Sequence, residues 1–381
     1  RVILLVTLDT KKSEADFLLK KLSDLNISSE VIDTSLKKSG KFKKVELIDS
    51  ISKKTGDLLE IKQSKGPISL VVLGGGTGMQ IGLKAMKVLN PLVPRFLIGT
   101  FPIDVRAWIA NSNMTIISTL VDINSNGPIL GIMLRKAAQQ IAATAKNANF
   151  QNITELSVGI SGLGITEKAV KNLRELFQNN NQKYSVFHAN GFGGSGLEVA
   201  LKEKWLSGLI DLTTHEATRL WLSGDHSPMP LRFDENKNFT IPRITVPGGI
   251  NFLSLGNFGT LSKHYKKRKY FIHSEAFTHV CLNKNEMVKV ANKLVDKINM
   301  FSSPTILAIP MGGFSSEDIN GGSLENIELR EIFKKVALRK ANKNVRVIIS
   351  NEHILSNSFA NTLFENFNKL QQKYGDNFGS K

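Results

Sequence analysis

The sequence predicts an α/β protein of two domains, each a mainly parallel sheet with helices on both faces. Three observations carry that expectation. Apolar, strand-like runs alternate with helical periodicities along the chain, the polar stretch KNANFQNITE interrupts the alternation once, and glycine-rich turns stand where strands feed helices in both halves. A strand–helix–strand rhythm pairs its strands in parallel, because each returning helix must cover a face of the sheet. The interruption places a domain boundary near residue 150, giving a first domain over residues 1–150 and a second over 151–381.

In the first domain, VILLVT (Val2 to Thr7) reads as a buried strand. The helix after it carries Phe17, Leu18, Leu22 and Leu25 on one face, with Ser13 placed to cap it. SEVID is the next strand, and the lysine-rich segment from Lys37 to Lys65 is part helix and part loop. ISLVVL runs into a glycine turn and a helix to about Leu89, RFLIGT and MTIIST supply two more strands, and an alanine-rich helix spans about Pro128 to Ala148. In the second domain LSVGIS, YSVFHA and LIDLT are strands separated by helices. RITVP, KYFIH, TILAIP and VRVIIS are later strands, and the last helix starts near Ser356. Between Gly224 and Pro242 lies a loop without periodicity, of a length typical of a lid or binding loop.

Composition narrows the function classes. No apolar run among the 381 residues reaches the roughly 18–20 needed to span a bilayer, and RVILLVT is too short for a signal peptide, so a cytoplasmic globular protein without a membrane partner is expected. The single cysteine, Cys281, excludes an internal disulfide or a multi-cysteine zinc site and reads as a buried packing residue. A net charge of +17 invites a nucleic-acid reading. The lysines are dispersed over helix faces with little aromatic interleaving, which predicts a solvated surface and no specific nucleic-acid partner.

The stretch LVVLGGGTGMQIGLKAM, Leu70 to Met86, places four glycines within five residues between a strand and a helix. Backbone without side chains there lets a phosphate or carboxylate approach main-chain N–H groups at the positive end of the helix. The competing reading is a tight turn that binds nothing. In doubly wound sheets ligands bind beyond the carboxyl ends of the strands. That surface collects Thr7, Asp9, Thr10, Lys11, Gly74, Gly75, Gly76, Thr77, Thr100, Asp104, Arg106, Thr119 and Asp122 in the first half. In the second it collects Ser161 to Thr166, His188 to Gly196, Asp211 to Glu216, Pro247 to Asn251, His273 with Glu275, and Met311 to Ser316. GFGGSG at Gly191 to Gly196 fits G-x-G-x-x-G, with Asp211 twenty residues past the first glycine, but it follows the second strand of its half rather than the first. His188 and Glu216 are the candidates for proton transfer, and Asp9 and Asp104 for a Mg²⁺ ion that also binds ligand phosphates.

The motifs TLDTK, LGGGTG, VFHANGFGG, DLTT.E, VPGGINF and IPMGGFS, taken in order, resemble a bacterial family of uncharacterised proteins. That family is similar to the amino-terminal ATP-binding domain of the tomato mosaic virus resistance protein. The resemblance covers essentially the whole chain. It implies two Rossmann-like subdomains with ATP in the cleft between them, and self-association into a homodimer. The residues matched are Thr7, Asp9, Thr10, Lys11, Gly74, Gly75, His188, Gly193, Gly194, Thr213, Thr214, Glu216, Pro247, Gly248, Gly312 and Gly313. The chain departs from the pattern at Asn251, where an aspartate is usual, at Cys281, where an arginine is usual, and at TFPID around Thr100. The function expected is nucleotide binding, ATP with Mg²⁺, with the reaction, the second substrate and whether the chain is an enzyme left open. The alternative is a non-catalytic regulatory or protein-binding module that nucleotide only stabilises.

Overall fold

A computed structural model of the chain describes residues 1–36, 43–101, 104–125, 127–147, 153–222, 232–233 and 240–375. The chain packs as two compact units, Arg1–Asn152 and Ile153–Lys381. Most of the Gly224 to Pro242 loop, and the centre of the polar stretch around residue 150, lie outside the described residues.

The first unit runs β1 (Val2–Val6), α1 (Leu8–Asp24), β2 (Ser29–Asp33), α2 (Lys44–Ser64), β3 (Ser69–Gly74), α3 (Gly76–Ala85), β4 (Arg95–Gly99), α4 (Arg106–Ile109), β5 (Met114–Ser118) and α5 (Pro128–Lys146). Its five strands are all parallel, in the order β2-β1-β3-β4-β5. Every residue of β1 is buried, because the strand is covered on both faces. Successive side chains alternate between those faces. Val2, Leu4 and Val6 join Leu18 of α1 with Leu134 and Ile141 of α5, whereas Ile3 and Leu5 join Leu59 of α2 and Leu83 of α3.

One expected cap is absent. The first helix begins at Leu8, ahead of Ser13, and is kinked at Lys11 (φ −131°, ψ 25°). Ser13 therefore stands inside the helix, where its hydroxyl pairs with Glu14 Oε2 at 2.9 Å. Starting the helix directly after β1 brings Asp9, Thr10 and Lys11 to the sheet end in a turn that the apolar spacing of the later residues does not register.

The second unit contains β6 (Ser157–Gly162), α6 (Glu167–Asn179), β7 (Tyr184–His188), α7 (Phe192–Lys202), β8 (Leu206–Thr213), α8 (Glu216–Trp221), β9 (Arg243–Gly248), β10 (Phe252–Leu255), α9 (Lys263–Lys266), β11 (Tyr270–Ile272), β12 (Thr278–Cys281), α10 (Lys284–Asn299), β13 (Thr305–Pro310), α11 (Ile327–Lys340), β14 (Val345–Ser350) and α12 (Asn357–Gly375). Six strands form a parallel sheet in the order β14-β13-β9-β8-β6-β7. The KYFIH strand departs from the expected pattern. Tyr270–Ile272 is the edge of a separate antiparallel sheet, β10-β12-β11, inserted between β9 and α10. Cys281 is buried there, 3% exposed. One face of the large sheet packs Val158 and Ile160 on α6 and α12 through Phe177, Phe359 and Phe367; α10, α11 and the small sheet enclose a second core.

In both sheets the chain steps from the first strand to one side and then returns to the other. The switch points lie between β1 and β3 in the first unit and between β6 and β8 in the second. Such points open a crevice at the carboxyl ends of the strands.

Phe367 is fully buried, 6.1 Å from the Phe177 ring, and fills the space beside Gly208, whose absent Cβ would meet its ring. Phe367→Ala is expected to cost about 3–5 kcal/mol, read as a lower urea midpoint with unchanged folded-state circular dichroism.

Candidate functional site

The first unit's switch point brings together eight of the expected residues: Thr7, Asp9, Thr10 and Lys11 after β1, and Gly74, Gly75, Gly76 and Thr77 where β3 becomes α3. Leu8 N–H donates to Asp33 Oδ1 (3.1 Å) and Asp9 N–H to Ser35 Oγ (3.0 Å), tying the turn to the end of β2. The Thr7 and Thr10 hydroxyls are 3.1 Å apart. The Asp9 side chain is exposed, as is Asp104 in the segment before α4.

The turn into α3 has room. Gly75 is the N-cap, and no side chain caps the helix, so first-turn N–H groups that lack intrahelical acceptors face the sheet end. Among the described residues a Cβ at Gly75 would meet only the Thr100 hydroxyl, at 3.7 Å, and one at Gly78 would come no nearer than Thr7 Cγ2, at 3.8 Å. Packing against the protein itself therefore does not require glycine at either position.

Lys11 is the unusual charge of this unit. It is 6% exposed. Its Nζ donates to Asn124 Oδ1, from the turn after β5, and lies 3.5 Å from the Thr10 carbonyl. Among the described residues no carboxylate pairs with it. A buried cation matched only by neutral oxygens is costly, and an anion beside it would offset that cost.

The second unit's candidates have a different character. His188 ends the edge strand β7 and is exposed. Gly193 and Gly194 are filled from within: a Cβ at Gly193 would strike the His188 backbone, and one at Gly194 the Glu216 carboxylate. Gly248 is likewise closed by the Leu212 carbonyl, Gly312 by the backbone at His353 and Gly313 by the Asp318 carbonyl. The buried hydroxyl of Thr213 bonds Thr166 Oγ1 at 2.7 Å, and that of Thr214 donates to the Val246 carbonyl at 3.0 Å, beside Pro247.

Glu216 is fully buried. Its carboxylate accepts from Gly191 N–H and, at 2.7 Å, from Arg232 Nε. Arg232 also donates to Asp211 Oδ1 (2.7 Å) and Glu198 Oε1 (3.2 Å), and Ser161 Oγ donates to Asp211 at 2.6 Å. Burial opposes the Arg232 charge, but Asp211, Glu216 and Glu198 outweigh it and hold the guanidinium protonated more firmly than usual. For Glu198 burial dominates over the opposing pull of Arg232 and the Phe233 N–H, pushing its carboxyl up to about 7. Asp211, twenty residues past the first glycine of GFGGSG, thus has Oδ1 engaged by Arg232 and Ser161. Arg232 and Glu198 carry no sequence signal of their own, since one lies in an aperiodic loop and the other on a helix, and only folding brings them together. Among the described residues no group of three or more His, Cys, Asp or Glu side chains is placed to hold a metal ion.

Residues 155–371 match the family described as "Uncharacterised protein family (UPF0261) C-terminal domain", and residues 41–150 match its N-terminal domain. The chain is 25% identical over 401 aligned residues to a UPF0261 protein of Clostridium tetani, covering 98% of this chain and 99% of that one. It is 24% identical over 315 residues to the ToMV susceptible protein tm-1 of Solanum lycopersicum, covering 80% of this chain and 42% of the plant protein. With the ToMV resistance protein Tm-1 of the same plant it shares 24% identity over 333 residues, 85% of this chain and 44% of the relative. The chain spans less than half the length of these two plant relatives.

The acid cluster makes a pH prediction. Glu198 binds its proton more tightly folded, near 7, than unfolded, near 4.5, so its contribution to stability is full below about 4.5 and is lost as pH rises to about 7. Glu198→Gln should flatten the fall in unfolding free energy across that window. Asp318, which burial raises to about 6, retains a smaller slope of the same sign. Urea titrations at a series of pH values measure both.

Proposed function

The chain belongs to the UPF0261 family, and from that premise we propose that it binds a nucleotide, ATP accompanied by Mg²⁺, with the phosphates at the carboxyl end of the first unit's sheet. The observation that carries the proposal is Lys11, a buried cation without a carboxylate partner among the described residues, on the same switch point as an uncapped helix N-terminus. In this reading the α3 N–H groups and Lys11 neutralise phosphate oxygens, and the Thr7 and Thr10 hydroxyls add hydrogen bonds. The space beside Gly75 admits the ligand to the backbone. Asp9 and Asp104 are the carboxylates this reading assigns to a hydrated Mg²⁺ carried by the phosphates, an ion that needs few protein ligands.

Two sequence expectations bear on what binding achieves. A catalytic reading uses His188 and Glu216 for proton transfer. The burial of Glu216 and its bonds to Arg232 and Gly191 support the other reading, a regulatory or protein-binding module that nucleotide stabilises. A cytoplasmic location and a homodimer belong to the same proposal.

Lys11→Met and Gly75→Val are each expected to weaken ATP binding about 10- to 100-fold in calorimetry with Mg²⁺ present. Gly75→Ala is expected to fold like the parent, because its Cβ has room. Folded Lys11→Met that binds ATP as tightly as the parent would sink the proposal.

A further inference from the structure

The carboxyl end of the second unit's sheet holds polar side chains that the reading of Lys11 does not use. Nearly all of them are matched. Ser161 donates to Asp211, Thr166 bonds Thr213, Thr214 donates to Val246, and His215 lies 2.7 Å from the Gly249 carbonyl and 2.9 Å from Ser254 Oγ. Arg219 and Arg330 each leave Nε without a hydrogen bond among the described residues but donate through Nη1 to the Asn190 and Met311 carbonyls, and two uncharged side chains stand apart from these. Asn251 is fully buried, yet among the described residues neither its Oδ1 nor its Nδ2 has a partner, and the fully buried Ser315 Oγ has none among them either.

Both lie on turns that are stitched together. Gly249 N–H donates to the Phe314 carbonyl (2.8 Å), Ser316 N–H donates to the Ile165 carbonyl (2.9 Å), and Leu282 N–H donates to the Asn251 carbonyl (2.9 Å). Gly249 has φ +67°, and a Cβ there would meet Ile165 Cδ1 at 2.5 Å and His215 Cβ at 3.2 Å. The turns after β6, β9 and β13 therefore converge, with Ser315 between Phe314 and Ser316 and Asn251 two residues beyond Gly249. Around them Leu163 and His353 are half-buried and Gly164 is exposed.

We propose that this end of the second unit's sheet is a binding site for a small neutral molecule, recognised by Asn251 and Ser315 through an adjacent hydrogen-bond donor and acceptor. A carboxamide or a nucleobase edge has that chemistry. A primary amide presents two donors on one atom and an acceptor beside it, which matches such an edge bidentately. A buried amide matched by nothing destabilises the fold, so its retention is explained when a ligand completes it. The converging turns carry no lysine or arginine of their own, and Asp318, which accepts from Phe314 N–H at 2.9 Å, is met by the buried Arg330 guanidinium 3.5 Å away, so the charges beside the turn are matched to each other and the unmatched groups are neutral. The site stands on the second unit alone.

The experiment follows thermal unfolding and calorimetry of the full chain, with adenine and nicotinamide as probes at millimolar concentration. The parent is expected to bind one of them, adenine identifying a nucleobase site and nicotinamide a carboxamide site. Asn251→Leu, close in volume and without the unmatched amide, should raise the melting temperature and weaken that binding at least tenfold. Ser315→Ala should weaken it without lowering the melting temperature. Lys11→Met should bind the probe like the parent whether or not it binds ATP, which separates this site from the phosphate site. A parent that binds neither probe, or an Asn251→Leu variant that binds as the parent does, overturns the proposal. So does a lowered melting temperature in both variants, since that shows the two groups are already satisfied by internal water. Where Asn251→Leu fails to fold, Ser315→Ala carries the same two readouts.

Discussion

Burial of both faces of each parallel sheet is the constraint on which the rest of the structure depends. Once Val2, Leu4 and Val6 are committed to one face of the first sheet and Ile3 and Leu5 to the other, no side chain inside β1 is left for chemistry. Polar groups are confined to the strand ends, and the two ends are not equivalent. Helices that follow parallel strands bring their N–H termini to the carboxyl ends and their carbonyl termini to the amino ends. The amino end of β4 shows the consequence, because Arg95 is buried there and donates to the Leu89 and Asn90 carbonyls, with burial alone lowering its pKa to about 10. An arginine at that end completes a helix terminus. A cation at the other end adds to a field that is already positive, and that combination suits an anion.

Lys11 and Arg232 make the same point through contrast. Both are buried, and breaking the partnership of a buried charge costs several kcal/mol. Arg232 meets three carboxylates, so its charge is more than balanced, and burial pushes the Glu198 carboxyl up to about 7. This is a self-sufficient arrangement that fixes α7, β8 and α8 to one another. Lys11 meets an amide and a carbonyl. Its surroundings stabilise the cation through dipoles alone, and the helix terminus on the same switch point contributes dipoles of the wrong sign for it. The two sites therefore differ in kind, one closed on itself and one incomplete.

The strands and helices were legible because their signal is local. Buried runs such as VILLV and the glycine turn after Leu73 announce themselves within a few residues, and the parallel topology follows from their alternation. Of the β10-β12-β11 insertion only the KYFIH strand was legible, and its antiparallel sheet was not, because β10 and β12 are four residues long, too short for a period of two to separate from a loop. Ser13 misled because a cap is recognised only relative to where the helix starts, and the kink at Lys11 moved that start. The first unit's candidate residues came together because they occupy consecutive positions after adjacent strands. The Arg232 cluster spans Glu198 to Arg232 over separate elements, and pairing across that distance leaves no periodic trace.

Glycine-rich turns look alike in sequence, and the backbone around them decides what they mean. At Gly193, Gly194, Gly248 and Gly313 a side chain would collide with the protein's own carbonyls or with Glu216, so the fold by itself accounts for glycine. Gly75 is different. Its φ of −90° is open to any residue, and its missing side chain faces a hydroxyl at van der Waals distance. Neither backbone strain nor packing demands glycine there, although omitting a side chain loosens the unfolded chain and so costs stability. Gly75 therefore differs in kind from the glycines of the second unit, whose missing side chains the surrounding backbone and Glu216 already exclude.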